Sequence, residues 1–218
     1  MGELRAVLFD MDGTLIDTER VWLEVETGVV AGLGGAWGPE HQEAVIGGSM
    51  LSTATYIKEL TGSPLSAVEV GVRLNDAMLE RLRTGVPMMS GAKELLSAVS
   101  AAGVICGLVS STYRRLMEAG LESIGREYFA VTVAGDEVAR PKPDPEPYAL
   151  AARLLGVPPG ECVAIEDSPN GVASAEAAGC VTIAVPGELP IPPAPGRTVI
   201  ASLTELDLPS LRALATDA

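Results

Sequence analysis

Five short, unbroken apolar runs constrain this chain more than any other feature: Ala6 to Phe9, Val104 to Val109, Ala130 to Val133, Cys162 to Ile165 and Val181 to Val185. Runs this short, without polar alternation, are what parallel strands covered on both faces require. Helical stretches separate most of them. From Pro145 to Leu155 the positions Tyr148, Ala151, Ala152 and Leu155 repeat at helical spacing, with Asp144 as N-cap and Pro145 as the first helical residue. Ser90 to Ala101, with Ser90 as cap, Thr112 to Leu121 and Ser168 to Ala178 read the same way. Strands alternating with helices predict an open α/β sheet.

One interval breaks the alternation. Thr18 to Arg83 is helical in pattern and includes a capping box at Ser66-Ala67-Val68-Glu69, which is too much chain for one crossover. The reading is an all-α domain inserted over residues 16–86 at the carboxyl edge of the sheet, where the loop after the first strand emerges. Residues 1–15 and 87–218 then form the α/β core, and Gly85-Val86-Pro87 is the return hinge.

Composition narrows the partners. With 29 acidic against 15 basic residues the net charge is −14, which opposes nucleic acid, whose binding rests on Lys and Arg neutralising phosphates. No apolar stretch nears the ~20 residues of a membrane span, and the N-terminus shows no signal peptide, so a cytoplasmic monomer acting on a small molecule is expected. Cys106, Cys162 and Cys180 are odd in number and widely spaced, with only His41 for company, so buried, reduced thiols are expected and a zinc cluster is not. His41 is read as exposed, among acidic and polar neighbours.

In a sheet of this kind ligands bind outside the carboxyl ends of the strands. Asp10 ends the first run, Ser110 the second and Asp167 the fourth, while Lys142 follows the third by a short loop. Asp10-Met11-Asp12-Gly13-Thr14 adds a second carboxylate two residues on, and Gly13 lets the backbone turn. Such a cluster of acids, with Glu166 beside Asp167, needs a cation, and oxygen ligands favour Mg²⁺. Phosphoryl transfer needs a metal, a fixed cation, a hydroxyl and an in-line nucleophile. On this reading Asp10 attacks phosphorus, Asp12 protonates the leaving oxygen and later takes a proton from water, and Lys142 and Ser110 hold the transferring oxygens. Asp167 ligates the metal, with Glu166 either a further ligand or a partner behind it.

These motifs resemble those of the haloacid dehalogenase superfamily, in the branch with a helical cap after the first strand. Asp10-Met11-Asp12-Gly13-Thr14 is similar to its first motif, Ser110 to the second, Lys142 within Arg140-Pro141-Lys142-Pro143-Asp144-Pro145 to the third and Glu166-Asp167 to the fourth. The resemblance implies a three-layer, Rossmann-like parallel core of five or six strands in order 5-4-1-2-3 and an aspartyl phosphate. It also implies Mg²⁺ held by Asp10, Asp167 and the main-chain carbonyl of Asp12, and a mobile cap. Ser111 joins Ser110 and Lys142 in binding phosphate, Thr14, Glu166 and Asn170 support the site, and Glu19, Trp22 and Gly48 are the cap residues placed toward substrate.

Asp12 favours phosphate esters or anhydrides, since dehalogenases of the superfamily lack the second aspartate. Asp17 to Trp22 is similar to the matching run of sugar phosphate phosphatases. A phosphomutase of the β-phosphoglucomutase type is the alternative, but the lysine and arginine of that cap are absent from Gly47-Gly48-Ser49-Met50-Leu51, and its histidine aligns with Trp22. A receiver-like domain that merely holds a phosphoryl group is the rival from another class. It needs neither the insertion nor Asp12. The expectation is therefore a Mg²⁺-dependent phosphomonoester hydrolase for a small phosphorylated metabolite.

Overall fold

The structure, a computed structural model, describes residues 3–46, 49–187 and 189–217. It divides into two compact units, Met1–Asp17 with Pro87–Ala218, and Thr18–Val86.

The first unit is built on a parallel sheet. Its strands are β1 (Ala6–Phe9), β2 (Ile105–Val109), β3 (Phe129–Val133), β4 (Cys162–Glu166), β5 (Val181–Ala184) and β6 (Arg197–Val199), in the order β3-β2-β1-β4-β5-β6. Every pairing is parallel. Read from the other edge this is the expected 5-4-1-2-3 with a sixth strand outside β5. That strand has no apolar run to announce it: its three residues are all half-buried. The central strands β1 and β4 are buried at every position, as strands covered on both faces must be.

The helices of the second unit are α1 (Thr18–Gly32), α2 (Pro39–Val45), α3 (Met50–Thr61) and α4 (Ala67–Arg83). Those of the sheet unit are α5 (Ala92–Ala101), α6 (Arg114–Ile124), α7 (Glu146–Leu155), α8 (Pro169–Ala178) and α9 (Leu208–Asp217). Helices α7 and α8 pack together against the sheet, and so do α5 and α9, which makes the core three-layered. Ala6, Leu8, Ala164 and Tyr148 meet in the cluster beneath α7.

In the helical unit, Ser66 Oγ accepts from the Glu69 amide while the Glu69 carboxylate accepts from the Ser66 amide, so the expected capping box closes the start of α4. Two connections tie the sheet unit where the insertion leaves and returns: the Asp17 amide donates to Pro87 O (3.0 Å) and the Met89 amide to Leu15 O (2.9 Å). These bonds place Ile16 and Asp17 with the sheet, two residues beyond the expected boundary.

Local expectations needed three corrections. Ser90 does not cap α5: the cap position falls on Gly91, which has no side chain to offer. Asp144 lies one residue outside the cap of α7, which is Pro145, although its Oδ1 still accepts from the Glu146 amide at 2.9 Å. His41 is not exposed, because Trp37 and Tyr56 cover it and its Nδ1 lies 2.8 Å from the Tyr56 hydroxyl.

All three cysteines are free and buried. Burial pushes the Cys106 and Cys180 thiols up to about 12 and the Cys162 thiol to about 11, so they are unreactive. Among the described residues, no helix is long and apolar enough to cross a membrane.

Candidate active site

The ladder carries the site residues one step past the strand ends. The Asp10 amide donates to Ile165 O at 3.0 Å and the Ser110 amide to Val133 O at 3.0 Å, which continues the parallel pairing beyond β1 and β2. Both side chains therefore stand at the carboxyl rim. Glu166 ends β4, and Asp167 follows it at the same edge. Lys142 arrives from the loop after β3, and its Nζ donates to Asp10 Oδ1 (2.7 Å), Val109 O (2.9 Å) and Glu166 Oε1 (2.5 Å).

These charges are dry. The Lys142 side chain is 4% exposed, that of Asp10 8% and that of Glu166 0%. Burial, then Glu166 and Asp12, push the Asp10 carboxyl up to about 8 against the pull of Lys142. Burial, then Asp10 and Glu166, push Asp167 up to about 9. Burial by itself would lower the Lys142 ammonium, but Asp10 and Glu166 outweigh it and hold it above its ordinary value.

The carboxylates of Asp10, Glu166 and Asp167 each offer an oxygen within 4.8 Å of the others. One ammonium does not balance Asp10, Asp12, Glu166 and Asp167, and hard oxygen donors in a buried cluster fit a divalent cation such as Mg²⁺. Gly13 is required here twice over: its φ is +75°, and a Cβ would fall inside the Asp167 carboxylate. Thr14, buried beside it, reaches Asp167 Oδ1 only at 3.5 Å.

Asp12 is half-buried, and its Oδ2 accepts from Ser110 Oγ (2.9 Å) and Thr112 Oγ1 (2.8 Å). Ser110 thus turns its hydroxyl to Asp12. Thr112, whose amide donates to Ser110 Oγ at 2.9 Å, is a partner the sequence reading missed. The run Ser110-Ser111-Thr112 was the available signal.

By its spacing in the sequence Tyr148 is only an apolar helix position. It is fully buried, yet its hydroxyl donates to Glu166 Oε1 at 2.7 Å and its ring centroid lies 5.1 Å from Lys142 Nζ. Burial, then Glu166, raise its phenol well above the ordinary range, so it stays a donor. Ser168, also missed, donates from Oγ to Glu166 Oε2 at 3.1 Å and caps α8 by accepting from the Gly171 amide at 3.1 Å.

The remaining sequence candidates are Ser111, Asn170, Glu19, Trp22 and Gly48. Ser111 is exposed beyond β2, and Asn170 is exposed in the first turn of α8. Glu19 and Trp22 are half-buried on α1 of the helical unit. Gly48 lies outside the described residues.

Comparison with known proteins identifies the family. The model of the family described as haloacid dehalogenase-like hydrolase matches residues 4–179. Protein CbbY of Rhodobacter capsulatus is 33% identical over 227 residues, spanning 99% of this chain and 97% of that protein. Hexitol phosphatase A of Escherichia coli (strain K12) is 34% identical over 192 residues, spanning 83% of this chain and 82% of that protein. A crystal structure of a CbbY variant from Rhodobacter sphaeroides in complex with xylulose-(1,5)bisphosphate is similar with a TM-score of 0.81 at 28% identity, covering 95% of this chain and 99% of that one. With the family's model matched over most of the sequence and a relative 33% identical along nearly its whole length, the chain belongs to the haloacid dehalogenase-like hydrolases.

Proposed function

We propose that this enzyme is a Mg²⁺-dependent phosphomonoester hydrolase acting on a small sugar phosphate through an aspartyl phosphate on Asp10. One observation carries the reading: Asp10 with Asp12, Lys142, and Asp167 come from three separate segments and converge at the ends of β1, β3 and β4. The relatives support the substrate class, since one is a hexitol phosphatase and another binds a ketose bisphosphate.

Asp10 and Asp167, with the main-chain carbonyl of Asp12, would hold the cation, and Glu166 stands behind them. When bound, a divalent cation neutralises charge on the phosphoryl oxygens, which lets an anionic ester approach an anionic nucleophile. An oxygen of Asp10 then bonds to phosphorus as the ester P–O bond breaks. Asp12 gives its proton to the leaving oxygen and takes one back from the water that attacks phosphorus and frees Asp10. Both hydroxyl donors fall on Asp12 Oδ2, which leaves Oδ1 to carry that proton. The Lys142 ammonium offsets the charge of Asp10 and of the transferring group.

The test is phosphate release from hexitol phosphates, ketose bisphosphates and other monoesters, with Mg²⁺ and with chelator, beside Asp10→Asn. Mg²⁺-dependent turnover that falls below detection in the variant is expected. Turnover by Asp10→Asn overturns the mechanism, product with phosphate on a new oxygen marks a mutase, and a phosphorylated Asp10 lasting minutes marks a phosphoryl-holding domain.

A further inference from the structure

An ammonium has three N–H donors, and in this structure Lys142 has spent all three on Asp10, Val109 and Glu166. To engage a phosphoryl oxygen it must give one up. Asp10 Oδ1 and Val109 O each receive Lys142, but Glu166 Oε1 receives two donors, Lys142 at 2.5 Å and the Tyr148 hydroxyl at 2.7 Å. The other oxygen, Oε2, accepts from Ser168 Oγ at 3.1 Å. Gly171 borders the carboxylate so closely that a Cβ there would fall among its atoms, so the absence of a side chain at 171 is what lets Glu166 stand in this place.

We propose that Tyr148 is a positioning residue: its hydroxyl keeps Glu166 satisfied and in place, so that Lys142 can trade its Glu166 hydrogen bond for a phosphoryl oxygen. A buried carboxylate that loses a donor without replacement is costly. The hydroxyl supplies the replacement in advance. Its geometry also explains why a tyrosine stands where the surrounding helix face needs only an apolar side chain: Tyr148 sits among Ala151, Ala152, Leu8 and Val133. The ring packs with them, and its edge carries the one polar atom into the site. The idea rests on the phosphatase reading above, because it assigns Lys142 to the transferring group.

Tyr148→Phe keeps the ring and removes the donor. In steady-state assays kcat is expected to fall about tenfold or more, with KM within about twofold, since the exchange occurs on the way to the transition state. Leu155→Ala, on the same helix and packed on the same cluster, serves as the structural control: it lowers the melting temperature and leaves kcat unchanged. A Tyr148→Phe enzyme that is folded and turns over at the wild-type rate overturns the proposal, and so does a loss that Leu155→Ala reproduces in proportion to its loss of stability.

A second readout does not depend on turnover. The buried Lys142 ammonium should give its own nitrogen NMR signal, which shifts in Tyr148→Phe and whose protons exchange faster with solvent. If the wild-type enzyme releases phosphate from no compound, the phosphatase reading fails and this signal alone decides: a change supports the coupling of Tyr148 to Lys142, and an unchanged signal ends it. If Tyr148→Phe does not fold, the wild-type protein decides. A Tyr148 hydroxyl proton protected from exchange and close to the ammonium protons supports the proposal, and rapid exchange overturns it.

Discussion

In the helical unit Arg81 lies 2.8 Å from Glu24 with the two side chains 31% and 42% exposed, whereas in the sheet unit Lys142 lies 2.7 Å from Asp10 with 4% and 8% exposed. The distances match and the physics does not. Water screens the first pair, and Arg81 uses its Nη1 donors on Thr84 Oγ1 and Gly85 O to close the end of α4. The second pair is desolvated, belongs to a cluster with surplus negative charge, and persists because the strands around it over-determine its position. Stability is served by the first arrangement. The second lowers stability in exchange for a charged site held ready at the sheet edge.

Removing one partner from each pair is the most direct way to break this contrast. Lys142→Met strands Asp10 and Glu166 and should cost about 3 kcal/mol in urea unfolding, with turnover gone. A variant as stable as the wild type would mean that the cluster is not self-opposing. Asp10→Asn sharpens the point from the other side, because it removes one carboxylate from the surplus while the amide oxygen can still accept from Lys142. Its unfolding free energy without metal should equal or exceed the wild-type value by about 1 kcal/mol.

An intermediate case lies at the β3 end of the sheet unit. Arg114, half-buried, bonds Glu137, Glu118 and Thr132, and its pair with Glu137 is 27% and 40% exposed. Its hydrogen bond holds the Glu137 carboxyl below its ordinary 4.5. A depressed carboxylate contributes stability above its unfolded pKa and loses it as pH falls. Glu137→Gln should therefore cost about 0.5 kcal/mol at pH 7, after allowance for solvent screening, and melts at successively lower pH should show the deficit fading as pH falls below 4.5. The smallest effect is expected in the helical unit, where Glu24→Gln leaves a half-buried Arg81 still bonded to Thr84 and Gly85 O. A clear loss of stability in urea unfolding would show that this surface pair is not screened as its exposure implies.

The sequence by itself carried the strands, the helical insertion and the rim. Parallel strands buried on both faces write themselves as unbroken apolar runs, and the polar residue that ends a run is where such a sheet presents chemistry; Asp10, Ser110 and Asp167 were legible for that local reason. Lys142 needed one further step, a loop short enough to return to the edge. What tertiary structure alone decided is the set of partners. Tyr148 and Glu166 are 18 residues apart, Asp10 and Lys142 are 132 apart, and Thr112 and Asp12 are 100 apart. None of these pairs has a period or a spacing to reveal it. Tyr148 even reads correctly as an apolar position of α7, because its ring is one and only its hydroxyl is not. β6 stayed silent for a related reason: a half-buried edge strand needs no apolar run, and only the parallel pairing of its three residues with Thr182, Ile183 and Ala184 of β5 makes it a strand. Periodicity records which way a side chain faces, a local property of the chain; a hydrogen-bond partner is fixed only when β1 takes its register between β2 and β4.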